Sequence, residues 1–137
     1  MTRQGSAIWK GGLKDGSGTV STASKVLNNH QYSFKTRFED GIGTNPEELL
    51  AAAHAACFSM ALSNQLAQHN LTASTIETTS TLTMENLTIT KFHLDVVATI
   101  PGADAAEFEA AAKEAKEGCP VSRLFNAEIT MDAKLVS

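Results

Sequence analysis

The residue types best suited to chemistry in this chain are its two cysteines, Cys57 and Cys119, which lie far apart in sequence. A thiolate is both a nucleophile and a metal ligand. Cys57 sits in the apolar run Ala55-Ala56-Cys57-Phe58, and free cysteine is among the most buried residue types, so plain packing competes with any reactive role. Cys119 precedes Pro120 at the mouth of a late helical turn, where backbone N–H groups and the helix dipole favour a thiolate. His54 stands three residues before Cys57, on the same helix face. It offers a general base or a second metal ligand there, and a bystander histidine is the bland alternative. A zinc site fits poorly: there is no Cys-x-x-Cys spacing, and His30, His69 and His93 have no motif around them. No metal and no cofactor is expected. Arg37 and Glu47 have ordinary readings as a solvated strand arginine and a helix-start acid, and spacing alone singles out neither.

The elements that must position these residues belong to a chain of 137 residues with net charge −4. That length suits a single domain over residues 1–137, and a mildly acidic balance argues against nucleic acid as a partner. No run of about 20 apolar residues occurs, so no membrane span is expected. The polar start of the chain lacks a signal-peptide core. The expected address is the cytoplasm, where two cysteines are more often reduced or catalytic than a permanent staple.

Short strands open the chain, around residues 6–10 and 19–22, with a turn at Gly16-Ser17-Gly18. Residues 32–38 alternate and predict a third strand, with Tyr32, Phe34, Thr36 and Phe38 on one face. Thr44-Asn45-Pro46-Glu47 is a helix start: either Thr44 caps with Glu47 at the third position, or Asn45 caps with Pro46 at the first. The helix runs to about Gln68. It is apolar on nearly every side from Leu49 to Leu62, which predicts burial all round, and its alanines permit a close neighbour. Residues 75–84 and 88–99 read as a hairpin turning at Glu85-Asn86-Leu87. Asp104 caps a helix over residues 105–117, Cys119-Pro120 opens a short turn, and Ile129, Met131, Ala133 and Leu135 line one face of a last strand. The order predicts an α+β fold, mostly antiparallel, around a central buried helix.

Thr44-Asn45-Pro46-Glu47-Glu48-Leu49 followed by Ala52-Ala53-His54-Ala55-Ala56-Cys57-Phe58-Ser59-Met60-Ala61-Leu62 resembles the first motif of the OsmC/Ohr family. Gly118-Cys119-Pro120-Val121-Ser122 is similar to the second. The resemblance covers nearly the whole chain, in element order as well as motifs. It implies an OsmC-like fold, an intertwined homodimer and a thiol peroxidase acting on hydroperoxides, organic ones especially. It further implies that Cys57 is the peroxidatic cysteine, Cys119 the resolving one, and Arg37 an active-site arginine held by Glu47. The Ohr branch carries its arginine in an early Gly-rich loop and tends to have an aromatic where His54 stands. Here that loop reads Gly11-Gly12-Leu13-Lys14-Asp15-Gly16, which favours the OsmC branch. A lipoyl-type dithiol is the reductant the resemblance suggests.

Physical chemistry adds constraints to that expectation. A sulfur buried mid-helix gets no help from its own helix dipole, and desolvation disfavours its charge. Arg37 would supply the missing cation and stabilise the leaving oxygen, and Glu47 would orient it through a bidentate pair. Glu47 and Cys57 are ten residues apart on one helix, roughly 15 Å at 1.5 Å per residue, so a glutamate acting at that sulfur belongs to another subunit. Phe34, Phe38, Leu50 and Phe58 are candidates for an apolar substrate pocket, with core packing the competing role. The alternative function is a non-catalytic thiol sensor or binding module on the same fold.

Overall fold

The computed structural model describes all 137 residues. The chain divides into two compact units, Met1–Leu49 and Leu50–Ser137.

In the first unit, β1 (Gly5–Lys10), β2 (Ser17–Thr22) and β3 (His30–Tyr32) form an antiparallel sheet in that order. The β1–β2 turn falls earlier than the sequence suggests. Gly11 takes the left-handed conformation, at φ 96, and Gly16 N–H bonds to Gly12 O at 2.8 Å, leaving Ser17 and Gly18 inside β2. The predicted third strand is also corrected: β3 stops at Tyr32, and Phe34–Phe38 is a short helix, α1. Its cause is local. Ser33 N–H donates to Thr36 Oγ1 at 2.8 Å while Thr36 N–H donates to Ser33 Oγ at 3.3 Å, a reciprocal cap that satisfies two otherwise free donors. Phe34 and Phe38 match a strand's alternation and a helix's four-residue step equally well. Here they meet as helical neighbours, ring centroids 4.9 Å apart.

Helix α2 (Pro46–Gln68) starts on Asn45, whose Oδ1 accepts from Glu48 N–H at 2.7 Å, with Pro46 at the first helical position. It is buried along one stripe only: His54, Phe58, Leu62 and Leu66, every fourth residue. The expectation of burial all round is therefore corrected for the single chain. Ala52, Ala53 and Ala56 are exposed, and Met60 is 76% exposed, because no element of the second unit covers that face.

The second unit holds β4 (Thr75–Glu85), β5 (Thr88–Thr99) and β6 (Glu128–Val136) in one sheet. β4 and β5 form the hairpin, with Asn86 and Leu87 both at positive φ, as a two-residue primed turn requires. β6 joins β5 in parallel, reached through α3 (Ala105–Gly118) and α4 (Pro120–Leu124). A parallel neighbour needs such a crossover. The sheets are thus antiparallel apart from this one pair. The core joins Phe58, Leu62 and Leu66 of α2, Leu94, Val96 and Ala98 of β5, and Phe108, Ala111, Ala112 and Ala115 of α3. Asp104 Oδ1 caps α3 by accepting from Glu107 N–H at 2.8 Å. No helix is long and apolar enough to cross a membrane.

Candidate active site

Two groups of side chains carry the chemistry-bearing residues, one in each unit. In the first, Arg37 lies in the last turn of α1 and Glu47 in the first turn of α2. The loop between them is pinned: Asn45 Nδ2 donates to Thr36 O at 2.9 Å, and Thr44 N–H to Gln31 O at 2.9 Å. Gly43 makes the bend possible, since at φ 133 a Cβ would fall 2.3 Å from Gln31 O. The result is a charge-assisted bond from Arg37 Nε to Glu47 Oε1 at 2.6 Å. Glu47 does not serve as the capping acid. That place belongs to Glu48, whose carboxylate accepts from Thr44 Oγ1 at 2.7 Å. Nor is the Arg37–Glu47 pair bidentate, because Glu47 Oε2 is buried without a partner. Both terminal guanidinium nitrogens of Arg37 are left over, with the Phe38 ring 5.3 Å from the guanidinium carbon. Phe34 and Phe38 line a groove of about 280 Å³ with Arg37, Trp9 and Tyr32.

In the second unit, the free thiols Cys57 and Cys119 bring their Sγ atoms 2.6 Å apart, within reach of joining as a disulfide. They are not equivalent. Cys119 is fully buried, whereas Cys57 is partly exposed and faces a hollow of about 390 Å³. Met60, Ala61, Asn64 and Gln65 line that hollow from α2, and Glu114 and Pro120 from the other side. Burial pushes the Cys57 thiol up from its ordinary value, and the neighbouring Cys119 sulfur pushes the same way. The backbone N–H of Val121 pulls in the opposite direction. Cys119 is the N-cap residue of the five-residue helix α4, with its side chain making no capping bond.

His54 is fully buried one turn before Cys57. Its Nε2 meets Ser122 Oγ at 2.8 Å and its Nδ1 meets Ser80 Oγ at 3.3 Å. Burial holds it below the ordinary histidine range. With both ring nitrogens occupied by hydroxyls, it is neither a base for Cys57 nor a ready metal ligand. Phe58 is also fully buried, in the core, and so lines no open pocket. Leu50 is half-buried on α2. A different set of metal-competent groups lies on the outer face of the second sheet. His93, Asp95 and Asp132 bring one ring nitrogen and two carboxylates within 4.8 Å of one another, away from either thiol in sequence, with His93 half-buried and both aspartates exposed.

Ser80, Ser122 and Val121 had no signal in the sequence beyond lying near the cysteine motifs. Met60, Ala61, Asn64 and Gln65 did have one, since they follow Cys57 at three, four, seven and eight residues, the helical repeat.

Sequence comparison assigns this architecture. The profile of the OsmC-like protein family matches residues 38–134, so the chain belongs to the OsmC-like family. It is 49% identical to the peroxiredoxin OsmC of Escherichia coli (strain K12), over 98% of this chain and 97% of that protein, and equally to that of Shigella flexneri. Among solved structures, an OsmC-like protein from Mycoplasma pneumoniae shares the fold at TM-score 0.79 and 14% identity, covering 100% of this chain and 99% of that one. The organic hydroperoxide resistance protein OhrB of Bacillus subtilis matches at TM-score 0.66 and 23% identity, with 98% of each chain covered.

Proposed function

We propose that this protein is a thiol-dependent peroxidase, a member of the OsmC branch that reduces organic hydroperoxides and also hydrogen peroxide. The observation that carries the reading is the asymmetric sulfur pair, with Cys57 open to a hollow and Cys119 sealed at 2.6 Å behind it. A peroxide reaches the first sulfur and not the second. The family relationship, at 49% identity to a named peroxiredoxin, supports the same reading.

The cycle has three balanced steps. Cys57 thiolate attacks the near peroxide oxygen, the O–O bond breaks, and the leaving oxygen takes a proton to become alcohol; Cys57 becomes a sulfenic acid. Cys119 then attacks that sulfur and water leaves as the disulfide forms. A dithiol, of lipoyl type by family resemblance, restores both thiols as it becomes a disulfide itself. Arg37 supplies positive charge for the attacking thiolate and the departing oxygen, and Glu47 holds its Nε so that the terminal nitrogens stay free for them.

The helix sets how such a site is assembled. Ten residues of α2 separate Glu47 from Cys57, roughly 15 Å along the axis. We therefore assign Arg37 and Glu47 to the Cys57 of a partner subunit in an intertwined homodimer. The uncovered Ala52, Ala53, Ala56 and Met60 face of α2 supports such pairing. On this reading residues 1–137 work as one OsmC-like domain, Phe34 and Phe38 contribute to the alkyl pocket, and the protein acts in the cytoplasm.

The test is peroxide consumption with a dithiol against a monothiol, using an alkyl hydroperoxide and hydrogen peroxide. Multiple turnovers are expected with the dithiol, fastest on the alkyl substrate, and none in Cys57→Ser. Stoichiometric oxidation without recycling would instead favour a thiol sensor.

A further inference from the structure

Helix α4 is too short to hold itself. A five-residue helix is far below the length that is stable alone, and its N-cap Cys119 makes no side-chain capping bond. Yet it carries both the Cys119 sulfur and the Val121 N–H that serve Cys57. Something else must fix its position.

The structure offers one polar clamp. His54 Nε2 meets Ser122 Oγ at 2.8 Å, and both residues are buried. The spacing is the same on both sides. His54 lies three residues before Cys57 on α2, and Ser122 three residues after Cys119 at α4. The two contacts, sulfur to sulfur and imidazole to hydroxyl, are therefore parallel rungs one helical turn apart. The imidazole is itself fixed on three sides: Ser80 Oγ at its Nδ1, and the Phe92 and Phe125 rings edge-on at 5.3 Å each. Phe125, which ends α4, stacks on Phe92 at 3.9 Å. Both polar partners of His54 are hydroxyls, which donate or accept, so either neutral tautomer is satisfied and no charge is placed beside the thiols.

We infer that His54 is a positioning residue for the second chemical step: through Ser122 it docks α4 so that Cys119 captures the Cys57 sulfenic acid before a second peroxide does. The inference rests on the peroxidase reading above. Losing the clamp has opposing effects on the first step, because Cys57 gives up both the Val121 N–H that lowers its pKa and the Cys119 contact that raises it. The second step has no such compensation, since it depends on where Cys119 sits.

The experiment is a single turnover of the full-length protein with one equivalent of an alkyl hydroperoxide, quenched over time and read by mass spectrometry. Loss of the Cys57 thiol reports the first step, and the Cys57–Cys119 disulfide reports the second. In Ser122→Ala the first rate should stay within about threefold of wild type while disulfide formation slows by about tenfold to 10²-fold, the upper figure being the loss that a misplacement of about 1 Å can cause. Excess peroxide should then drive Cys57 to sulfinic acid. Ser122→Thr, which keeps the hydroxyl, should restore the disulfide rate. His54→Gln, read the same way, covers the case in which Ser122→Ala does not fold. An unchanged disulfide rate, or both rates falling together, overturns the inference. Wild-type protein that neither consumes peroxide nor forms the disulfide overturns the peroxidase reading instead.

Discussion

Replacing Cys119 by alanine separates two effects that the sulfur pair combines. Burial is the larger cause of the raised Cys57 pKa, and Cys119 adds to it, because a second sulfur that can carry negative charge so close by disfavours the Cys57 thiolate. Removing that sulfur should move the Cys57 titration to lower pH and enlarge the thiolate population at neutral pH. The gain in rate is smaller than the gain in thiolate. A less basic thiolate is a weaker nucleophile, with a Brønsted slope of about 0.4–0.5, so each tenfold gain in thiolate yields only about threefold in attack rate. Cys119 is fully buried, so its truncation should cost about 0.5–3 kcal/mol of stability, within reach of a folded variant. The assay is stopped-flow oxidation by an alkyl hydroperoxide between pH 5 and 9, paired with mass spectrometry of Cys57. Cys119→Ala should give a pH–rate profile displaced to the acid side, an equal or faster first step at neutral pH, and Cys57 trapped as sulfenic and then sulfinic acid. A profile displaced to the alkaline side would refute the assigned role of the pair.

Arg37→Ala should slow peroxide attack by about 10²–10³-fold, the usual loss for one transition-state donor, and Arg37→Lys should recover only part of it in the same stopped-flow assay. Glu47→Gln should weaken the orienting bond and slow attack less than Arg37→Ala does. Mixing Cys57→Ser chains with Arg37→Ala chains tests whether the arginine acts across subunits. Re-associated dimers should recover roughly a quarter of wild-type turnover, since half the dimers are mixed and each of those holds one intact site. A site built within one chain gives no recovery. His54 is held neutral by burial, below its unfolded value near 6.5, so acid protonates the unfolded state first. Its contribution to stability should be full above about pH 6.5 and decline as pH falls below it, an acid-side fall in melting temperature that His54→Gln reduces.

Much of this was legible in the residues, for physical reasons that differ by element. The β4–β5 hairpin, the Asp104 cap and the start of α2 at Pro46 follow from local turn and capping chemistry, and the structure keeps all three. Residues 34–38 misled because phenylalanines four apart also satisfy a two-residue repeat, and the reciprocal Ser33–Thr36 cap decided for helix. α2 misled in another way. Apolar composition says which surface avoids water but not which neighbour covers it, so Met60 and the alanines read as buried although this chain leaves them open. The cysteine motifs marked where the thiols are. They could not show that Val121 N–H would serve Cys57, or that His54 would reach across to Ser122 and Ser80, because those contacts depend on how α4 and β4 pack against α2.

If the two thiols form one peroxide-driven redox pair, a single equivalent of peroxide is enough to join them. The most direct test is to treat the reduced protein with one equivalent of an alkyl hydroperoxide and map the products by peptide mass spectrometry. One alcohol should be released per chain, with a Cys57–Cys119 disulfide formed within the chain, reversed by a dithiol and absent in Cys57→Ser. Oxidation that begins at Cys119, or peroxide consumed to the same extent by Cys57→Ser, would contradict that pairing.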